Sequence, residues 1–408
     1  MKKTILLSAI SATCVCAHAQ SSVTLYGIID LGLTYANSAQ TGTVRGQHSG
    51  GSQVALQDGH ASGLSGSRWG LRGAEDLGGG LRSVFVLENG FFANNGTFAQ
   101  GGAEFGRQAY VGLSSDNLGA VTVGRQYDPY IEAVQPFAAS SNFAGYMGTH
   151  PNDLDNLGNT NRINNAIKYT SRSFSGLTFG GLYSLGGVAG DLSRNQVWAL
   201  GANYSSGPFA MGLGYLNARN PNVSYYGNTP NKGVATVDNL GSFGSSTTAQ
   251  ANPVYAGYAS AHTLEVAGAG AKYSFNKTTV GLVMTGTRFS SLGATEAPNP
   301  LRYSGNATFW NAELNVKQYV TPALLVGTAF DFTKRNSVNG DGGAKYLQLD
   351  VGAEYSLSKR TDLYGLLVLQ RASGRDSLGQ AAVANISGFT ASTSDKQAGV
   401  RVGMRHKF

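Results

Sequence analysis

Hydrophobic and polar residues alternate with a period of two along most of the chain, in segments of about ten residues separated by turn formers. In SSVTLYGIIDLGLTY, Val23, Leu25, Ile29, Leu31 and Leu33 share one parity, while Thr24, Tyr26, Asp30 and Thr34 share the other. At the far end, Ala398, Val400, Val402, Met404, His406 and Phe408 oppose Gly399, Arg401, Gly403, Arg405 and Lys407. Successive side chains of a strand point to opposite faces, so each segment presents one apolar and one polar face. In a soluble sandwich the polar face would meet solvent, and in a barrel it would meet a watery lumen. Pairing the first strand with the last would close the sheet and remove its edges, as a bilayer demands.

Between strands, short turns alternate with long loops. EDLGGG (75–80), SSDNLG (114–119), SRSFSG (171–176), SSGP (205–208), FNKT (275–278), QYVTP (318–322) and SKRTD (358–362) carry the Gly, Asn, Asp and Ser that tight turns need. Long stretches rich in Gly, Ser and Thr fall between them, chiefly 37–65, 128–160, 219–261 and 372–394. Seven turns and both termini on one side give sixteen strands. The expected fold is therefore all-β: a transmembrane antiparallel barrel with short periplasmic turns and long extracellular loops.

Composition agrees. Glycine stands at 57 of 408 residues, about double its usual share, and aromatics reach 10%. No apolar run beyond the leader reaches the 18 residues of a helical span. The start, MKKTILLSAISATCVCAHAQ, has two lysines, an apolar run from Ile5 to Cys16 and the small-x-small end Ala17-His18-Ala19, the layout of a signal peptide cleaved after residue 19. Residues 20–408 then form one domain without cysteine, since Cys14 and Cys16 leave with the leader, and disulfides and thiolate metal sites go with them. Cleavage also takes Lys2 and Lys3 from a formal net charge of +7. What remains is a mild basic bias with no lysine-rich run, so nucleic acid is not an expected partner.

Catalysis finds no constellation. His48, His60, His150 and His262 fall in predicted loops and His406 on the apolar parity of the last strand, none beside a serine in a G-x-S-x-G elbow. Each reads as a surface or girdle histidine. NDLDN (152–156) spaces Asp153 and Asp155 by one residue but lacks the glycine and distal glutamate of a calcium loop, so it reads as a turn cap. No metal or cofactor is expected.

The cations are more informative. Trp69 and Leu71 share one parity and Arg68, Gly70 and Arg72 the other; past the turn, Leu81, Phe85 and Leu87 oppose Arg82 and Glu88. In RINNAIKYT, Ile163, Ile167 and Tyr169 oppose Arg162 and Lys168. An Arg or Lys on the lipid face costs about 2–4 kcal/mol at mid-bilayer, so these side chains belong inside. Arg107 and Arg125 break the scheme, being in phase with Val111 and Leu113 and with Val121 and Val123.

The stretches SSVTLYGIIDLGLTY, SRWGLRGAEDLGGGLRSVFVLE, YVGLSSDNLGAVTVGRQYDP, NNAIKYTS and GVRVGMRHKF, spread from residue 21 to 408, resemble the trimeric general porins of Gram-negative outer membranes, in their β-proteobacterial branch. The resemblance implies a homotrimer set in outer-membrane lipid and lipopolysaccharide. It also implies a third external loop, here about 128–160, folded into each barrel. It matches the arginine cluster of anion-selective members to Arg68 in S-R-x-G-L-R-G, Arg107 in the F-x-R pattern and Arg162 before Asn164-Asn165. Placing Arg107 in the pore requires a bulge to repair its phase. The third loop lacks a P-E-F-G-G-type segment, leaving Asp128, Glu132, Asp153 and Asp155 as its acids. Phe408, with Met404 and Val402, resembles the signal read by the barrel-assembly machinery, and would also suit an interfacial girdle.

The leading expectation is a passive aqueous channel for small hydrophilic solutes and anions, not an enzyme. Its constriction would be Arg68, Arg107 and Arg162, with Arg72, Arg82, Arg125, Lys168, Arg401 and Arg405 lining the pore. The alternative is an adhesin or receptor acting through Tyr225, Tyr226, Tyr255 and Tyr258 of the 219–261 loop.

Overall fold

The computed structural model describes residues 22–224, 226–227 and 240–408. The expected leader and Tyr225 lie outside these residues. The described strands are β1 (Ser22–Val44), β2 (Gln47–Asp58), β3 (Arg68–Gly78), β4 (Leu81–Gly90), β5 (Gln108–Ser115), β6 (Gly119–Gln126), β7 (Ile163–Thr170), β8 (Leu177–Ser184) and β9 (Val197–Ser206). They continue as β10 (Phe209–Arg219), β11 (Thr263–Phe275), β12 (Thr278–Leu292), β13 (Gly305–Tyr319), β14 (Leu324–Arg335), β15 (Ala344–Ser356), β16 (Thr361–Gly374) and β17 (Lys396–Lys407).

The sheet is antiparallel throughout and closes on itself where β1 pairs with β17, from Ile28↔Lys407 to Ala36↔Gly399. Phe408 completes the seam: its backbone exchanges two 3.0 Å hydrogen bonds with Gly27. β2 and β3 are two halves of one stave, because β1 pairs with β2 through its upper residues (31–44) and with β3 through its lower ones (22–28). The barrel thus has the sixteen staves expected. Between the halves, residues 59–67 leave the wall, with α1 (Gly59–Ser62) at their start.

Each expected short turn falls between consecutive strands at one end of the barrel. At the β3–β4 turn Gly79 and Gly80 take φ of 63° and 78°, which L-residues seldom adopt. The expected loop at 37–65 is corrected: its first part is a tall hairpin of β1 and β2 that turns at Arg45–Gly46. Its small polar residues carry no hydrophobic alternation, yet ladder hydrogen bonding runs on to Val44↔Gln47.

Alternation sorts the faces as expected in most staves. Val23, Leu25, Leu33, Val402 and Met404 are exposed on the outside, whereas Asp30, Thr34 and Arg401 are buried inside. An exposed apolar band of this kind suits lipid rather than water.

The lumen is filled on one side by the connection between β6 and β7. It carries α2 (Pro129–Val134), whose N-terminus is capped by Asp128, accepting from the Ile131 amide at 3.0 Å. Glycines seat α2: a Cβ on Gly201 or Gly212 would stand 2.0 or 1.9 Å from the carbonyl oxygens of Pro129 and Ala133, and one on Gly214 would meet Tyr130 at 2.9 Å. The inward side chains of β9 and β10 are thus missing where the helix lies, and Tyr130, Ile131, Val134 and Phe137 are buried against this wall. Farther along, Phe143 packs over Gly327 and Gly352.

Candidate functional site

Across the lumen from the loop, Arg68, Arg107 and Arg162 converge on a single cavity of about 560 Å³, which the loop bounds with Tyr127, Glu132 and Tyr146. The three stand on different elements. Arg68 opens β3 on the lumen parity, and its Nε donates to the Gly66 carbonyl at 3.0 Å. Arg107 immediately precedes β5, and Arg162 immediately precedes β7.

The bulge expected at Arg107 is absent. The β4–β5 ladder runs without a register shift from Glu88↔Gln108, so Arg107 escapes the outward phase by standing before the strand. Arg162 reaches the lumen for a related reason. Ile163, expected outside, is fully buried, and the shift between Gly124 and Gln126 against β7, with Asn165 at φ 56°, resets the phase before Ile167 turns outward. The same irregularity governs Arg125, which stays out of the cavity. It donates from Nε to the Gly106 carbonyl (2.8 Å) and from Nη1 to the Gly227 carbonyl (3.1 Å) and to Asn164.

The arginines differ in their partners. Arg107 donates from Nε to Glu88 Oε1 at 2.7 Å and from Nη2 to the Tyr127 hydroxyl at 2.8 Å. Tyr127 in turn donates to Glu88 Oε1 (3.2 Å), and Tyr26 to Glu88 Oε2 (2.9 Å). Arg107 Nη1 lies 3.2 Å from His60 Nε2. A guanidinium only donates, so that nitrogen must accept, and His60 is neutral with its Nδ1 proton on Asp58, 2.9 Å away. Burial, with the charge of Arg107, pushes His60 down to about 4, consistent with that tautomer. Arg162 lies with its guanidinium carbon 5.4 Å from the centre of the Tyr127 ring and donates to the Thr160 carbonyl at 2.8 Å. Among the described residues neither Arg68 nor Arg162 has a carboxylate in ion-pair contact, and Nε of Arg162 has no hydrogen-bond partner.

Of the four loop acids, only Glu132 reaches the cavity, and its carboxylate binds Lys168 Nζ at 2.6 Å. The others are corrected to structural roles. Asp128 is the α2 cap, and burial pushes it up to about 6. Asp153 accepts from the Gly158 and Thr160 amides at 2.6 and 3.1 Å, as a turn cap does, and burial beside Asp155 pushes it up to about 7. Asp155 meets His150 Nδ1 at 2.5 Å and the Thr285 hydroxyl at 2.7 Å. His150, read as a surface histidine, is enclosed: its Nε2 points at Glu313 (3.3 Å) on β13 and Asp331 (3.4 Å) on β14. Burial opposes the imidazolium, yet the carboxylates of Asp155 and Asp331 outweigh it and hold His150 well above its usual range. His150 was legible only as a loop histidine, because Glu313 and Asp331, the wall carboxylates it meets, lie more than 100 positions away in sequence.

The remaining cations divide by height. Arg72 lies on the lumen parity, 5.3 Å from the Tyr26 ring centre. Arg82 pairs at 3.0 Å with Asp116 in the β5–β6 turn, at the periplasmic rim. Arg405 is held by Asp362 (2.8 Å) and Glu354 (2.9 Å). Arg401 is corrected: it faces inward but is sealed beneath α1, donating to Tyr364 (2.7 Å), Ser62 (2.7 Å) and Asp30 (3.1 Å), and no permeant meets it. In the described part of the 219–261 loop, Tyr226 and Tyr258 are buried and Tyr255 stacks on Phe289, so these three rings pack the loop inward rather than face a partner.

A closed antiparallel barrel with an apolar exterior, whose polar lumen is narrowed by an inward loop, defines the class: a channel-type barrel of the outer membrane. The chain belongs to the Gram-negative porin family, whose model matches residues 6–375. It is 39% identical over 241 residues to an outer membrane porin of Bordetella pertussis, a match covering 54% of this chain and 61% of that protein. It is 29% identical to outer membrane porin protein 32 of Delftia acidovorans over the full length of both. Among solved structures it is similar to the anion-selective porin from Comamonas acidovorans, with a TM-score of 0.67 and 24% identity over 95% of this chain and all of that one.

Proposed function

We propose that the protein is a passive, water-filled channel for small hydrophilic solutes that prefers anions. The observation that carries the preference is the convergence of Arg68 and Arg162 on the constriction cavity without a carboxylate partner among the described residues. Arg107 is matched by Glu88, and Lys168 by Glu132, so these pairs contribute little net charge. Unmatched cations at a narrow, water-filled point attract anions and repel cations. The Comamonas relative, an anion-selective porin, supports the same reading.

The chain works as one domain, residues 20–408, exported by a leader over 1–19 and inserted through recognition of Phe408. It needs no cofactor or metal and performs no catalysis. It assembles as a homotrimer, as the trimer form of an OmpT relative from Vibrio cholerae does. Reconstitution in a planar bilayer under a salt gradient tests the reading. Conductance in steps of three and a zero-current potential of anion-selective sign are expected, and a cation-selective sign would refute the preference.

A further inference from the structure

On the external side of the arginines the lumen holds a second hollow that selection by charge does not need. It measures about 330 Å³ and is walled by Tyr146 and Asn152 of the constriction loop, Tyr226 and Tyr255 of the β10–β11 loop and Phe389 of the β16–β17 loop. Among the described residues that line it, none is charged. Tyr146 and Thr160 line both this hollow and the constriction cavity, so the two adjoin. Arg162 stands at their junction, with Nη1 on the Thr160 carbonyl at 2.8 Å.

The walls are fixed before any solute arrives. Asn252 Oδ1 accepts from the Tyr255 amide at 3.2 Å, the Tyr255 hydroxyl donates to the Asn152 carbonyl at 3.2 Å, and the Tyr255 ring stacks on Phe289 with 5.6 Å between centres. Ser387, also on the wall, accepts from the Thr149 hydroxyl at 2.6 Å. A site formed in advance loses little affinity to ordering itself. Aromatic rings beside hydroxyls and amides offer flat apolar surface and hydrogen bonds together. A sugar ring presents the complement, apolar C–H faces with hydroxyls around the edge.

Two unmet polar atoms at the junction sharpen the chemistry. Nε of Arg162, a residue only 3% exposed, has no acceptor, and Oδ1 of Asn159, which lines the constriction cavity, has no donor. Buried groups left unmet in this way are costly, and a ligand that meets both gains accordingly. Chloride or a lone carboxylate accepts from Arg162 but has no proton to give Asn159, whereas a hydroxyl beside an anionic group has one.

We infer that the hollow and the junction form one subsite for an anionic monosaccharide, a sugar phosphate or a sugar acid. The sugar ring lies against Tyr146, Tyr226 and Tyr255, the anionic group sits on Arg162, and a neighbouring hydroxyl donates to Asn159. The inference rests on the anion-preferring channel and names the solute class that this reading leaves open.

Block of the chloride current through the full-length protein in a planar bilayer tests it, with glucose 6-phosphate and glucuronate as probes and with glucose and inorganic phosphate as controls. At least one sugar anion should interrupt the current at a concentration tenfold or more below that of either control, and the stronger of the two identifies the anionic group. Ala251→Trp, at an exposed position on the wall, fills the hollow and should raise the blocking concentration tenfold or more. Asn159→Gly accommodates the local φ of 56° while removing the acceptor, and should weaken block by the sugar anion several-fold but not block by inorganic phosphate. Equal block by inorganic phosphate would overturn the sugar pocket, equal block by glucose would overturn the role of Arg162, and wild-type block in both variants would overturn the location. The zero-current potential of the same bilayer reads the channel separately. An anion-selective sign without block by either sugar anion refutes the subsite alone, whereas a cation-selective sign or absent conductance refutes the channel reading and the subsite with it.

Discussion

The two sides of the constriction loop treat charge in opposite ways. Toward β3, β5 and β7 it looks across the cavity at Arg68, Arg107 and Arg162, two of which lack an acid among the described residues. Toward β13 and β14 it is locked to the wall by His150 among Asp155, Glu313 and Asp331, all enclosed. Charges that act on a permeant must stay wet and unmatched, whereas charges that hold the loop must be matched because burial makes an unpaired one costly. One loop therefore needs both an incomplete and a complete electrostatic partner set.

The contrast is broken most severely by His150→Ala. Removing the only cation from this buried set should cost about 3–5 kcal/mol of loop docking while the barrel ladder stays closed. Single-channel records should become noisy with larger openings, and limited proteolysis should cut the loop in a barrel that keeps its heat-resistant mobility. A quiet, wild-type trace would mean the latch does not hold the loop.

Next in size is the glycine seat. Gly214→Leu places a side chain where even a Cβ would stand 2.9 Å from Tyr130, at an overpacking cost of about 1–3 kcal/mol. The helix α2 should move into the lumen, and conductance should fall without a change in the sign of selectivity.

The latch also has a pH signature. His150 is raised above its unfolded value, so its contribution is fully present below about pH 6.5 and is lost as pH rises through the raised value. Asp155, which burial would raise but His150 outweighs, is held below its usual range, and its contribution is present above about pH 4 and lost as pH falls through the depressed value. Asp128 and Asp153, raised to about 6 and about 7, add a loss of loop stability as pH rises from about 4 through those values, so the mark of His150 is a further rise in loop cleavage under alkaline conditions; the same alkaline rise in His150→Gln would contradict the assignment. Smallest of all, Tyr127→Phe removes one acceptor from Arg107 and one donor from Glu88, an effect of about 1 kcal/mol. It should shift selectivity only slightly.

Alternation and turn chemistry made the staves, the short turns and the lumen position of Arg68 readable from sequence. Alternation reports which face of the wall a residue occupies, but not what fills the lumen at that height. Arg401 has the lumen parity and is sealed, because residues 59–67 leave the wall and cover it, held there by Asp30, which accepts from the Ser65 amide and whose own amide donates to Ser67 Oγ. Arg107 and Arg162 stand at loop–strand junctions, where parity no longer applies: parity places Arg162 inside, but on an outward Ile163 that is in fact buried, and only the family motif locates Arg107. The pairing of His150 with Glu313 and Asp331 joins segments remote in sequence and had no local signal.

The central claim is that selectivity resides in the unmatched arginines and not in the number of arginines. The direct measurement is the zero-current potential in a salt gradient of two double variants in parallel. Arg107→Gln/Glu88→Gln removes a matched pair and should retain anion preference near the wild-type value. Arg68→Gln/Arg162→Gln removes the unmatched charges and should bring the potential close to zero. Loss of preference in the first with retention in the second would contradict the account.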